Sequence, residues 1–140
     1  MTATHFPLSV ARFFGGRSNR REFWLSVVLL LAGNFGLSLV LGPVLTSAVS
    51  LPVWIVIGSR RLHDFGQTGW WSLIPFVLGF AVGFARGAGL EVTAGAEMLF
   101  NFAVMIVTTL VIGLVPGTKG SNRFGAESGA TPDVLSDTFG

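Results

Sequence analysis

Four apolar runs alternate with short polar segments along the chain. The stretch from Phe23 to Leu41 has no charged residue, and its length approaches the roughly 20 residues that a helix needs to cross a bilayer. Three further runs follow it before residue 116. The pattern predicts an all-α membrane protein with four transmembrane helices, at about 23–41, 44–58, 70–85 and 98–115.

The second run has the weakest pattern. It is shorter and less apolar than the first, and it contains Pro52. Gly42 and Pro43 separate the two runs, and this pair favours a tight reversal because proline lacks a donor and glycine frees the backbone. Tilting or local thinning of the bilayer covers a short span. A kinked or partly re-entrant segment is the alternative.

Composition supports a lipid environment. Hydrophobic residues make up 51% of the chain and charged residues 11%, against about 25% charged in soluble proteins. The absence of cysteine excludes disulfides, thiolate metal sites and a cysteine nucleophile. A net charge of +2 matters through its position along the chain, and we expect no nucleic-acid partner.

The basic residues predict the orientation. With four spans, eight of them flank one side of the membrane and only Arg86 flanks the other. The positive-inside rule then places both termini and the loop 59–69 in the cytoplasm of a multi-pass inner-membrane protein. Residues 1–22 form a cytoplasmic basic segment, in which 6–14 are either interfacial or disordered. Residues 116–140 form a cytoplasmic motif and a disordered tail.

Small and amide residues within the spans predict helix packing. Gly79, Gly83 and Gly87 recur every four residues and therefore share one helical face. That face is a packing seam, either within one bundle or between two copies. Asn34 and Asn101 are expected to form interhelical hydrogen bonds. The tryptophans mostly fall near span ends, where interfacial anchoring is usual.

The chain contains no established catalytic motif. His63 and Asp64 are the one adjacent imidazole and carboxylate, but neighbours in a loop rarely face each other. Asp64 as a helix cap or an arginine partner, with His63 as an interfacial polar group, is favoured over acid-base catalysis. The segment after Gly113 lacks the lysine spacing of a phosphate-binding loop. We expect no metal site and no cofactor.

Three basic clusters form the candidate site on the cytoplasmic face. Each cluster contains glycine, so that backbone amides and cations can approach an anionic headgroup. The predicted partners are membrane lipid, a protein or a second copy of the chain. The alternative is a small transporter or membrane enzyme that uses Arg61, His63 and Asp64 on a phosphorylated or anionic substrate. The candidate site residues are Arg17, Arg20, Arg21, Glu22, Arg60, Arg61, His63, Asp64, Gly69, Trp70, Lys119, Asn122 and Arg123.

Three sequence blocks together resemble a known family. They are GRSNRREFW at 16–24, RRLHDFGQTGWW at 60–71 and PGTKGSNRFG at 116–125. In order and spacing they resemble domain of unknown function 805, a family of small bacterial inner-membrane proteins without an established activity. The chain has Thr68 where that pattern usually has serine, and it lacks a proline soon after Gly125. The resemblance implies the location and the span number, but no reaction.

Overall fold

The computed structural model describes residues 16–127, which are helical apart from short connections. Helix α1 covers Arg20–Asp64, a 3-10 helix covers Gly69–Leu73, α2 covers Ile74–Gly87 and α3 covers Ala94–Leu114. This confirms an all-α fold within the described part of the chain. The predicted interfacial segment 6–14 lies outside that part, as does the predicted disordered tail 126–140 apart from its first two residues.

Helix α1 is a hairpin of two arms. It begins at a capping box, in which the Asn19 side chain accepts from the Glu22 amide and the Glu22 carboxylate accepts from the Asn19 amide. At Gly42 the backbone leaves the helical conformation, with φ 75° and ψ 168°, a region that glycine enters without a steric penalty. The arms Arg20–Gly42 and 43–64 then run antiparallel, since the Ser50 hydroxyl donates to Asn34 Oδ1 at 2.5 Å. The predicted reversal at Gly42 is confirmed.

The second arm is longer than the predicted span 44–58. The predicted loop 59–69 is wrong over its first half, because the helix continues to Asp64. Charged residues end the apolar run there, but they do not end the helix, since their side chains find partners inside the protein. The helix stops where Gly66 adopts φ 78° and its amide donates to the His63 carbonyl, a common glycine-based helix end.

The other helices also extend beyond the predicted bounds. Trp70 and Trp71 lie in the 3-10 helix Gly69–Leu73, which leads into α2. Helix α3 begins four residues before the predicted Met98, because Thr93 caps it by accepting from the Ala96 amide at 3.2 Å. Within the described residues, three helical stretches are long and apolar enough to cross a membrane, namely Arg20–Gly42, Gly69–Gly87 and Ala94–Leu114.

The hydrophobic core lies where the two arms of α1 meet α3. Its buried side chains are Phe23, Val27, Trp54, Leu62 and Ile112. Trp54 does not present its ring at the surface as an anchoring tryptophan would, because its side chain is buried and its indole donates to the Ser72 carbonyl at 3.2 Å. Trp70 and Trp71 are exposed.

The glycine face of α2 lies against α3 over part of its length. A Cβ atom at Gly79 would overlap the Asn101 side chain, and one at Gly83 would lie 3.2 Å from a Glu97 carboxylate oxygen. Gly87 has no such neighbour. The Asn101 amide donates to the Glu97 carbonyl of its own helix. The interhelical hydrogen bond is therefore confirmed for Asn34, whereas the Asn101 donor bonds within α3.

Candidate functional site

The three sequence blocks meet at one end of the helices, which we call the motif end (residues 16–24, 60–71 and 116–125). A network of polar side chains joins them there, with Arg17, Arg61 and Asp64 buried at its centre. We call this network the Asp64 cluster, and its members are Arg17, Arg61, Asp64, Thr118 and Asn122.

Asp64 is the central anion of the cluster. One carboxylate oxygen accepts from Arg17 Nε at 3.1 Å, and the other accepts from Arg61 Nη1. All three residues are less than 10% exposed. A buried charge is tolerated when it is paired and hydrogen-bonded, and here one carboxylate partners two guanidinium groups.

Arg61 connects the second arm of α1 to the end of α3. Its guanidinium donates to the carbonyls of Ile112 and Val115, and to the Ser18 carbonyl at 3.2 Å. The last carbonyls of a helix lack partners in their own helix, and Arg61 supplies a donor to two of them. Burial lowers the pKa of Arg61 because it disfavours the charged form, while the adjacent Asp64 carboxylate opposes this shift.

Arg17 fixes the segment that follows α3. Its guanidinium donates to the Thr118 carbonyl at 2.5 Å and to the Gly120 carbonyl at 2.6 Å. A third bond, to the Gly125 carbonyl, is longer at 3.4 Å. Together with Asp64, Arg17 thereby joins residues that lie 47 to 108 positions away along the chain.

Thr118 and Asn122 complete the cluster. The Thr118 backbone amide and its hydroxyl both donate to the Asp64 carbonyl at 2.9 Å. The Asn122 side-chain amide donates to the His63 carbonyl at 2.9 Å. Gly117 lies so close to the Asp64 carboxylate that a Cβ atom there would overlap it. The third block therefore needs glycine at 117 for close approach.

His63 and Asp64 point to different surroundings. The imidazole stacks on the Phe124 ring, with 3.9 Å between centroids and 11° between planes. The Arg123 guanidinium also lies over the Phe124 ring, 4.6 Å from its centroid, and donates to the Gly66 carbonyl. The interpretation of Asp64 as an arginine partner agrees with this geometry.

Two of the exposed basic side chains at this end border an open cleft of about 470 Å³. Arg20 and Arg21 line it and are exposed, as is Glu127 on its wall. The buried pair Arg61 and Asp64 lies at its base. The cleft thus combines two exposed arginine side chains with a buried ion pair at its base.

The remaining candidate residues are distributed around this end. Glu22 and Lys119 are exposed, and Arg60 is half-buried. Gly69 packs against the Ser59 side chain, where a Cβ atom would lie 2.5 Å from the hydroxyl. Gly69 and Trp70 do not line the cleft.

Sequence reasoning missed several residues of this region. Ser18 supplies a carbonyl to Arg61, Thr118 bridges Asp64 and Arg17, and Glu127 lines the cleft. Thr118 stands in the third sequence block, so its position beside Gly117 was an available signal. Nothing in the sequence pattern marks Glu127, which lies just beyond that block.

A second cavity, of about 690 Å³, lies between the arms of α1 and α3. Its wall is apolar except for Asn34 and three hydroxyl side chains. No charged residue lines it.

Comparison with known proteins identifies similar sequences. A family model described as "Protein of unknown function (DUF805)" matches residues 12–126. The chain is 26% identical to the inner membrane protein YhaH of Escherichia coli over 136 residues, which are 85% of this chain and 89% of the relative. It is 29% identical to the uncharacterized protein YiiR of Escherichia coli over 124 residues, 82% of this chain and 85% of the relative. No solved structure matches it.

Proposed function

The chain belongs to the DUF805 family of proteins of unknown function, and we propose that it is a four-span inner-membrane protein that binds anionic phospholipid headgroups at its cytoplasmic face. The observation that carries the proposal is the division of the arginines at the motif end. Arg17 and Arg61 are buried in the Asp64 cluster, whereas Arg20 and Arg21 extend into an open cleft above it.

The hairpin geometry supports four crossings. The first arm has 23 residues, which span about 35 Å at 1.5 Å per residue. The second arm starts beside Gly42 and returns to the motif end, where Asp64 contacts Arg17. If the first arm crosses the bilayer, the second must cross it too. The charged residues of the second arm cluster at 60–64, at its aqueous end. They lower the mean hydropathy of the arm but do not shorten the helix.

The charge distribution supports cytoplasmic termini. Blocks 16–24, 60–71 and 116–125 contain seven of the nine lysines and arginines and share one end, while Arg86 lies in the last turn of α2, toward the other end. The positive-inside rule assigns the basic end to the cytoplasm. The relative YhaH is named an inner membrane protein, which supports the inner membrane as the proposed location.

Reporter fusions test the topology. Alkaline phosphatase, which is active only outside the cytoplasm, is fused after residues 42, 65, 92 and 140. We expect activity at 42 and 92 and none at 65 and 140, because each crossing reverses the side. A green fluorescent protein series at the same sites is the matched control and should give the inverse pattern. Phosphatase activity at 65 would contradict the proposed topology.

The exposed arginines carry the proposed binding. A guanidinium group matches the geometry of a phosphate and binds it through paired hydrogen bonds. Basic residues near a membrane surface contribute about 1 kcal/mol each to the attraction of anionic lipid. Arg20 and Arg21 are exposed and line the cleft, so they are placed to act in this way. Lys119 is also exposed at the motif end but does not line the cleft. The buried arginines do not have this freedom, because their donors are directed to Asp64 and to backbone carbonyls.

Charge removal at the cleft tests the lipid proposal. In the double variant Arg20→Gln and Arg21→Gln we expect the affinity for phosphatidylglycerol to fall roughly 10- to 30-fold, from about 1 kcal/mol per residue. Lipid binding is measured by native mass spectrometry with added phosphatidylglycerol and phosphatidylcholine. Arg86→Gln is the control, because it removes a similar exposed charge outside the cleft.

Three outcomes distinguish the possible ligands. Selective loss of phosphatidylglycerol in the double variant supports headgroup binding. Retained lipid together with loss of a co-purifying protein would indicate a protein partner instead. Equal losses in the double variant and in Arg86→Gln would indicate a general charge effect and would contradict a site in the cleft.

The transporter or enzyme alternative has less support from this geometry. It requires Arg61, His63 and Asp64 to face one substrate. Arg61 and Asp64 are buried and bonded to each other, and the His63 ring stacks on Phe124. No observation at the motif end favours this alternative over headgroup binding.

A further inference from the structure

The cleft at the motif end contains a carboxylate of the chain itself. Glu127 lines the cleft together with Arg20 and Arg21. Its Oε2 accepts a hydrogen bond from the Gly120 backbone amide at 2.8 Å. Gly120 has φ 74°, a left-handed conformation that favours glycine.

Such an arrangement is typical of anion sites. Backbone amides in turns and nearby guanidinium groups are the donors that proteins commonly direct to phosphate oxygens. Here one of these donors, the Gly120 amide, is occupied by a carboxylate oxygen. An internal carboxylate therefore marks a position where an external anion would be bound.

The charges in the cleft favour a second anion. Arg61 and Asp64 lie at the base and pair with each other, and the Asp64 carboxylate also accepts from Arg17. The charged groups that remain on the open wall are the cations Arg20 and Arg21 and the anion Glu127. The two arginines are thus opposed by a single carboxylate.

We propose that a phosphate group binds in this cleft to Arg20, Arg21 and the Gly120 amide, and that it displaces Glu127. This inference rests on the proposed headgroup binding and assigns its position. Glu127 is exposed, and a single exposed hydrogen bond is readily exchanged for water or another acceptor. Each non-bridging oxygen of a phosphate can accept more than one hydrogen bond, so a phosphate offers acceptors to the amide and to the guanidinium groups.

Removal of Glu127 tests the inference. The full chain with Glu127→Ala is titrated in detergent with dioctanoyl phosphatidylglycerol and, separately, with inorganic phosphate. We expect about fivefold tighter binding of phosphatidylglycerol than in the parent protein, from the loss of one opposing charge. Tighter binding of the lipid alone identifies a headgroup as the source of the phosphate, and an equal gain for inorganic phosphate identifies the free anion.

The control is Glu91→Ala, which removes an exposed carboxylate between α2 and α3. Its affinity for either probe should equal that of the parent protein. Unchanged or weaker binding in Glu127→Ala, or an equal gain in Glu91→Ala, would overturn the inference. If Arg20→Gln with Arg21→Gln still lowered the affinity for phosphatidylglycerol as expected, the proposed function would stand without this inference. A parent protein that binds neither probe would remove both proposals.

Discussion

Replacing Asp64 with alanine should destabilise the protein by about 3–5 kcal/mol, the cost of leaving a buried charge without its partner. Two guanidinium groups depend on this one carboxylate, since Arg17 and Arg61 both donate to it and have side chains that are 2% and 0% exposed. Asp64 also accepts from Thr118 through its carbonyl, but that bond persists in the variant. The free energy of unfolding is measured by denaturant titration in mixed micelles, with tryptophan fluorescence as the signal.

The exposed pair of Arg86 and Glu97 provides the control. Its nitrogen-oxygen distance of 3.0 Å is close to the 3.1 Å between Arg17 and Asp64, but the Arg86 side chain is 50% exposed. Exposed ion pairs contribute about 0–1 kcal/mol, so Glu97→Ala should have a small effect. Similar losses in Asp64→Ala and Glu97→Ala would contradict the structural role of the Asp64 cluster.

Replacing Gly113 with alanine should lower stability by about 1–3 kcal/mol, the usual cost of overpacking a core. Gly113 lies in α3 against the start of α1. A Cβ atom there would lie 2.5 Å from Trp24 Cζ2 and 2.9 Å from Phe23 Cε1, so that α1 and α3 must move apart. The same movement would lengthen the bond from Arg61 to the Ile112 carbonyl, which is 3.2 Å.

Gly36→Ala is the matched control for this substitution. Gly36 also lies inside a helix, but a Cβ atom there meets no heavy atom within 4 Å. Alanine favours a helix over glycine by about 1 kcal/mol, so this variant should be unchanged or slightly more stable. Thermal unfolding in one detergent compares the two variants, and a Gly113→Ala protein as stable as Gly36→Ala would show that the close packing is absent.

The apolar pattern was sufficient to predict the helices, but not where they end. Charged residues at 60–64 indicated a loop because charge is costly in an apolar environment. In the structure Arg61 and Asp64 continue the helix, because Arg17, Ser18 and the end of α3 supply their partners. Those partners are distant in sequence, so periodicity within the run contains no information about them.

The candidate site was predicted as a region but not resolved into roles. Arg17, Arg20 and Arg21 belong to one basic cluster, and neither composition nor spacing separates them. Arg17 is buried among partners that lie up to 108 positions away along the chain. Arg20 and Arg21, at the start of α1, are exposed. Only tertiary contacts divide the arginines into those that support the fold and those available to a ligand.

We propose that buried arginines stabilise the motif end and that exposed arginines there bind anionic headgroups. Native mass spectrometry of the Arg20→Gln and Arg21→Gln double variant, beside the parent protein, tests this claim most directly. We expect a variant that remains folded, with the parent's melting temperature, and that has lost bound phosphatidylglycerol. A variant that keeps the lipid, or that unfolds as Asp64→Ala is expected to, would contradict the claim.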